Sequence, residues 1–292
     1  MLRWTQAGAV PAPRTVQIRV QQSIVGRIAA GAPVPPRGLD PRELIENIRY
    51  FTHGLRGPRS RPCETLVLTG AGLSTRADLG AAVVIARAEG VERVVMHVDL
   101  DDLEAVAGGE HGGLADALVV RIEPGEGLSR ALSAVEAAVQ RGQEVRAALV
   151  LGGGPAAPWV EAARSVVAAG ARAVQLSYPF PGAELARPPV PEAAALADAV
   201  AAAVPTSVGF SVKGLPACVL MEATAERGSW RTPNRWYVDA RHQKQAAVLF
   251  LPDVVRFAKA DLCRFCALDG RCDGFFAGEG LSPGLPPLSP RT

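Results

Sequence analysis

From residue 15 to residue 212 the chain alternates short apolar runs with stretches of helical period, and few folds accommodate that rhythm. The runs are TVQIRV (15–20), ETLVLTG (64–70), RVVMHVD (93–99), ALVVRIE (117–123), VRAALVLGGG (145–154), RAVQLSYPF (172–180) and TSVGFSV (206–212). Each is bounded by turn residues, as buried strands are. Between them, ADLGAAVVIARAEG (77–90), GLSRALSAVEAAVQRG (127–142), PWVEAARSVVAAG (158–170) and PEAAALADAVAAAV (191–204) predict helices. DPRELIENIRYFTHGL (40–55) opens with an Asp N-cap and Pro at the first helical position, and spaces Leu44, Ile45, Ile48 and Phe51 at helical intervals. The pattern predicts an α/β fold, a parallel sheet with helices outside it. About 200 residues suit a partial TIM-like barrel of six to eight βα units, with an open doubly wound sheet as the alternative.

After residue 212 the rhythm stops. The expected organisation is an N-terminal extension over 1–13, the βα barrel over 14–212, a cysteine-rich module over 213–280 and a Pro-rich tail over 281–292. At 48% hydrophobic and 21% charged, the chain has the composition of a soluble globular protein. A net charge of +2 points to neither nucleic acid nor an anionic membrane surface. MLRWTQAGAVPAPR holds no apolar stretch long enough for a signal-peptide core, and PEAAALADAVAAAVP is too short to span a bilayer. The expectation is a cytoplasmic protein, whose cysteines are read as metal ligands or core residues before disulfides.

Four of the five cysteines form a constellation. CRFCALDGRC places Cys263, Cys266 and Cys272 as Cys-x2-Cys-x5-Cys. A two-residue gap lets two thiolates reach one metal centre from a single turn. Cys272 returns after the Asp269-Gly270 turn, and Cys218, after Pro216-Ala217, is the obvious fourth ligand. The uneven spacing and the lack of a second Cys-x2-Cys favour an iron–sulfur cluster of the 4Fe-4S kind, with zinc the alternative on the same thiolates. Cys63 stands apart, just before the second strand, and reads as a core or rim residue.

Two stretches of the chain resemble the radical S-adenosylmethionine (SAM) superfamily in its peptide- or cofactor-maturing branch. GLPACVL with CRFCALDGRCDGFF is similar to that family's C-terminal auxiliary-cluster region of the SPASM/twitch kind, where a Pro-x-Cys and a Cys-x2-Cys-x5-Cys-x-Gly supply ligands. LTGAGLSTRADL (68–79) resembles the family's Gly-Gly-Glu-Pro loop and its trailer, of which Arg76, Asp78 and Leu79 are kept. The departures are equally specific. The resemblance implies Cys-x3-Cys-x2-Cys after the first barrel strand, but QQSIVGRIAAGAPVPPRG (21–38) contains no cysteine, histidine or carboxylate. The SAM-binding loop is reduced to Gly70-Ala71-Gly72-Leu73, with Gly72 where the family has glutamate. Both losses fall on one ligand site, so SAM binding and cleavage are not expected.

The implied protein is a degenerate radical SAM-fold pseudoenzyme with no catalytic residue of its own to name. It would be a partner subunit for a complete radical SAM protein, a peptide substrate, or both. Two alternatives remain. One is an enzyme with a repurposed barrel mouth, built from His97, Asp99 and the Gly-Gly-Gly turn at 152–154. Against it, Asp99 or Asp101 is as well explained as a helix cap, and the glycines as a strand-to-helix turn lacking the Gly-Lys-Ser/Thr of a phosphate loop. The other is a zinc-stabilised structural protein. The four histidines, His53, His97, His111 and His242, are too scattered to suggest a catalytic set, and Trp230, Trp236, Tyr237 and Arg241 form an aromatic-basic stretch that could face a peptide or pack the module.

Overall fold

All seven predicted strands are present, and they follow an antiparallel pair, β1 (Leu2–Trp4) and β2 (Gly8–Val10). They are β3 (Thr15–Arg19), β4 (Thr65–Thr69), β5 (Arg93–Val98), β6 (Ala117–Ile122), β7 (Val145–Val150), β8 (Ala173–Ser177) and β9 (Gly209–Lys213). The helices that alternate with them are α1 (Pro41–Arg49), α2 (Leu79–Ala88), α3 (Leu100–Gly108), α4 (Leu128–Gln140), α5 (Ala157–Ala168) and α6 (Val190–Ala203). The fold is α/β, seven parallel strands with alternating helices in a partial barrel of the TIM type. The computed structural model describes residues 2–4, 8–10, 15–20, 40–49, 63–70, 72–108, 113–125, 127–179, 187–228, 235–238, 257–269, 272 and 274–276. The loop 21–38, Ala71, the first helix beyond Arg49, His53, His111, Trp230, Arg241, His242, Gly270 and the tail 281–292 lie outside these residues, as do the side chains of Trp236 and Tyr237.

The chain divides into two compact units, Met1–Val119 with Thr232–Asp253, and Val120–Arg231 with Val254–Thr292. In the first unit, β3, β4 and β5 pair in parallel so that Val16, Leu66 and Val94 form one rank and Ile18, Leu68 and Met96 the next. All six side chains are fully buried. Each contributes about 1.5–3 kcal/mol of hydrophobic stabilisation. β4 buries Leu66, Val67 and Leu68 in succession, the mark of a strand covered on both faces. Helix α1 starts as its sequence dictates: the Glu43 N–H donates to Asp40 Oδ1 (2.8 Å) and the Asp40 N–H to Glu43 Oε2 (3.1 Å), a reciprocal capping box. One strand was not anticipated: β10 (Arg235–Val238) pairs in parallel with β3, Arg235 opposite Thr15 and Val238 opposite Ile18.

In the second unit β7, β8 and β9 also pair in parallel, and here burial alternates. Val145, Ala147, Leu149, Val174, Leu176, Phe210 and Val212 are buried on one face. Short 3-10 turns carry two of the cysteines, Ala217–Val219 after β9 and Asp261–Phe265 between the two-residue strands β11 (Phe257–Ala258) and β12 (Phe275–Phe276). Helix α7 (Glu222–Gly228) is tied back to α6, because the Met221 N–H donates to both carboxylate oxygens of Asp198 and Arg227 reaches the carbonyls of Ala201, Val204 and Pro205. Among the described residues no helix is long and apolar enough to cross a membrane.

Candidate functional site

Strand β9 leads directly into the turn that carries Cys218. Gly214, Leu215 and Pro216 are buried, and Pro216, in an extended conformation, starts the turn that carries Cys218. On the other segment, successive turns close at regular intervals: the Cys263 N–H donates to Ala260 O (2.9 Å), Cys266 to Cys263 O (3.0 Å) and Asp269 to Cys266 O (3.0 Å). Three residues to a turn bring side chains three apart onto one side, which is why Cys-x2-Cys works as a pair. The Cys272 N–H then donates to Leu268 O (2.8 Å), and Lys259 Nζ pairs with Asp269 Oδ1 (2.8 Å) to tie β11 to this loop.

The structure draws the two cysteine segments together. The Ala217 N–H, beside Cys218, donates to the Sγ of Cys272 at 3.3 Å, and the Gly274 N–H donates to the same sulfur at 3.3 Å. Cys272 is buried, whereas Cys218, Cys263 and Cys266 are half-buried. Burial pushes the Cys218 thiol up, and the neighbouring thiols of Cys272, Cys263 and Cys266 push it further, to about 11. Among the described residues no group of three His, Cys, Asp or Glu side chains is close enough together to hold a metal ion.

The loop that resembles a SAM-binding segment is built on a 3-10 turn. Gly72 sits at φ 71°, the left-handed region, and heads a 3-10 turn over Leu73–Thr75. Its carbonyl accepts from the Thr75 hydroxyl at 2.8 Å. Asp102, only 2% exposed, accepts from the Leu73 N–H (3.2 Å), the Ser74 N–H (2.9 Å) and the Ser74 hydroxyl (2.6 Å). An internal carboxylate therefore takes the donors at the start of this turn. Arg76 and Asp78, both largely buried, form a two-point ion pair with Nη2 at 2.6 Å and Nε at 3.0 Å, and Leu79 is fully buried.

Among the described residues, the cluster at the end of β5 forms no group of three side chains that could hold a metal ion. Asp99 caps α3, its Oδ1 accepting the Asp102 N–H at 2.8 Å. Desolvation raises its carboxyl above the ordinary value; the Asp102 N–H opposes this and the Asp102 and Asp101 carboxylates reinforce it. Asp101 is exposed and Asp102 serves the Leu73–Ser74 turn. Two of the glycines at 152–154 have structural reasons: a Cβ on Gly152 would lie 3.0 Å from the Trp159 ring, whose Nε1 donates to Val150 O at 3.1 Å, and Gly154 is at φ 114°. Cys63 is fully buried with its Sγ toward Thr65 O (3.1 Å), as a core residue.

One feature escaped the sequence reading. Opposite the buried face of β7–β9 lies a half-buried one, ranked by register as Arg146 with Ala173, then Ala148, Gln175 and Ser211, then Val150, Ser177 and Lys213. It is small and polar, with Gln175 Nε2 donating to Ser177 Oγ at 3.2 Å. The signal was available as period-2 alternation in AVQLS and GFSVK.

Two crystal structures of Streptococcus suis SuiB have this fold. SuiB bound to S-adenosylmethionine matches with TM-score 0.55 at 8% identity, over 90% of this chain and 72% of that one. SuiB bound to the precursor peptide SuiA matches with TM-score 0.55 at 8% identity, over 90% and 71%. At that identity the likeness shows the fold alone. No protein-family model and no curated protein matches the chain.

Proposed function

We propose that this chain is a radical SAM-fold protein that does not cleave SAM. It holds one iron–sulfur cluster on Cys218, Cys263, Cys266 and Cys272, in a module spanning 213–280. It serves a peptide- or cofactor-maturing system as a binding or partner subunit. The observation that carries this reading is a contrast. The turn carrying Cys218 is hydrogen-bonded to Cys272 in a chain that keeps Cys263 and Cys266 close by in sequence, while the segment 21–38, which should bear three cysteines, has none.

The residues present divide the work in a consistent way. Cys263 and Cys266 come from one turn, Cys218 and Cys272 from segments joined through the Ala217 N–H. A cluster bound there supplies one-electron transfer. At the SAM-like loop Gly72 offers no side chain to a ligand amino group, and Asp102 occupies the Leu73 and Ser74 amides. Gln175, Ser177, Ser211 and Lys213 offer hydrogen-bonding groups on a half-buried face, which suits the amides of a peptide. SuiB, solved with a precursor peptide, lends that occupant support.

The test is anaerobic reconstitution of the whole chain with iron and sulfide. The expected product contains about four irons and absorbs near roughly 400 nm through thiolate-to-iron charge transfer. It makes no 5′-deoxyadenosine from SAM when reduced. Formation of that nucleoside by the chain alone overturns the reading, and stoichiometric zinc in a colourless protein replaces it with a structural role.

A further inference from the structure

The β7–β9 sheet of the second unit has two unlike faces. One is closed by helices: Phe210, buried on it, lies under the Arg227 guanidinium of α7 at 5.5 Å. The other carries Ala148, Gln175 and Ser211 in one rank and Val150, Ser177 and Lys213 in the next, all six half-buried. The ranks facing away from the helices of a βα barrel are ordinarily filled by bulky branched side chains. Ala148, Ser177 and Ser211 are too small to fill them, and the face stays half-open over hydrogen-bonding groups.

Those groups have capacity for a ligand. A carboxamide has two donors and a carbonyl oxygen, and Gln175 spends one donor on Ser177 Oγ at 3.2 Å. The Ser211 hydroxyl stands opposite Gln175, and Lys213, opposite Ser177, brings an ammonium with three donors. The rank behind adds Arg146, which pairs with Glu144 at 2.6 Å, so the charge at the forward end of the face is that of Lys213. No carboxylate stands among the residues of these three ranks. Successive ranks are two residues apart, about 6.6 Å, and the strands about 4.8 Å apart. An extended peptide repeats its amide direction every two residues at that same spacing. Laid along β8 and β9, it would turn like-facing amides to Gln175 and Ser211, then to Ser177 and Lys213. A helix satisfies its amides internally and offers none.

Resting on the peptide part of the reading above, and not on its cluster, we infer that this face is the binding site for an extended acidic peptide. Gln175 and Ser211 bond one peptide unit of the ligand. Ser177 and Lys213 take the next like-facing unit together with an adjoining Asp or Glu carboxylate.

The test selects random short peptides, displayed on phage, against the full chain. Enriched sequences are synthesised and titrated by fluorescence polarisation, and they should share an Asp or Glu. Gln175→Leu and Lys213→Met should each weaken binding roughly tenfold, and Lys213→Arg should recover most of the loss. Ser133→Ala, on the exposed side of α4, should change nothing. Circular dichroism checks that each variant folds, and Ser211→Ala, the mildest change, carries the test where a larger one disturbs the fold. Unchanged affinity in the folded variants of this face, or enriched peptides without an acidic residue, overturns the inference and leaves peptide binding as such in place. If no peptide is enriched, the peptide reading has failed and the inference with it. Iron uptake, measured separately, tells both outcomes apart from a failure of the cluster reading.

Discussion

Ser74 gives both its backbone N–H and its hydroxyl to one oxygen of Asp102, at 2.9 and 2.6 Å. The other oxygen takes the Leu73 N–H, so a buried carboxylate from α3 fastens the turn that follows Gly72. Asp102→Ala strands these donors in the interior and should destabilise the fold by roughly 1–3 kcal/mol. Urea denaturation should show the loss, with Asp102→Asn, which keeps an acceptor, losing less.

Gly72 was read from sequence as a lost glutamate, but its φ of 71° gives a second reason for glycine. A side chain there costs about 1–2 kcal/mol in the left-handed region. Gly72→Ala and Gly72→Glu should lower the midpoint of thermal unfolding by similar amounts. Gly72→Glu should restore no SAM binding by calorimetry, because Asp102 still holds the neighbouring amides.

Asp99 separates helix capping from catalysis. Asp99→Ala should cost about 1 kcal/mol of stability by removing the cap of α3, and Asp99→Asn, also a good cap, should recover most of it. Chemical denaturation measures both. Recovery by asparagine is the outcome expected of a cap, which needs only an acceptor oxygen.

Only one set of cysteines should matter for metal. Cys218→Ala, Cys263→Ala, Cys266→Ala and Cys272→Ala should each reduce the iron retained after anaerobic desalting and the absorbance near roughly 400 nm. Cys63→Ala should retain full iron and lose only a little stability through the small cavity left behind.

The metal-free protein should weaken in alkali. Burial and the neighbouring thiols push Cys218 up from its ordinary 9.0 to about 11 in the folded chain. The folded chain therefore keeps its proton where the unfolded chain has lost it. That contribution is complete below pH 9 and disappears as pH rises toward 11. Thermal melts across this window should fall more steeply for the native sequence than for Cys218→Ala. Metal uptake, which requires thiolates, should strengthen over the same range and release protons.

The seven barrel strands could be read from sequence because each is an apolar run of strand length set between turns or helical periods, and α1 because Asp40 and Glu43 carry a capping box in plain view. β10 could not, since its four residues sit within a polar stretch and pair with a strand more than 200 positions earlier. Asp102 was visible as one of several acids, but its bond to Ser74 depends on two loops meeting, which no local pattern encodes. The cysteine ligand set could be proposed from spacing. The special standing of Cys272 could not, because backbone amides leave no trace in residue identity.

The pairing of β10 with β3 has a consequence for how the chain acquires its structure on the ribosome. Val238 must be synthesised before β3 has its outer neighbour, and by then the segment 120–231, belonging to the other unit, has emerged. Until that moment β3 presents an open edge of unpaired amides and carbonyls, the kind of surface that templates misassembly. The non-local closure is also slow to form, because a long loop must close before any contact rewards it. A nascent chain stalled near residue 230 would be the species most in need of a chaperone.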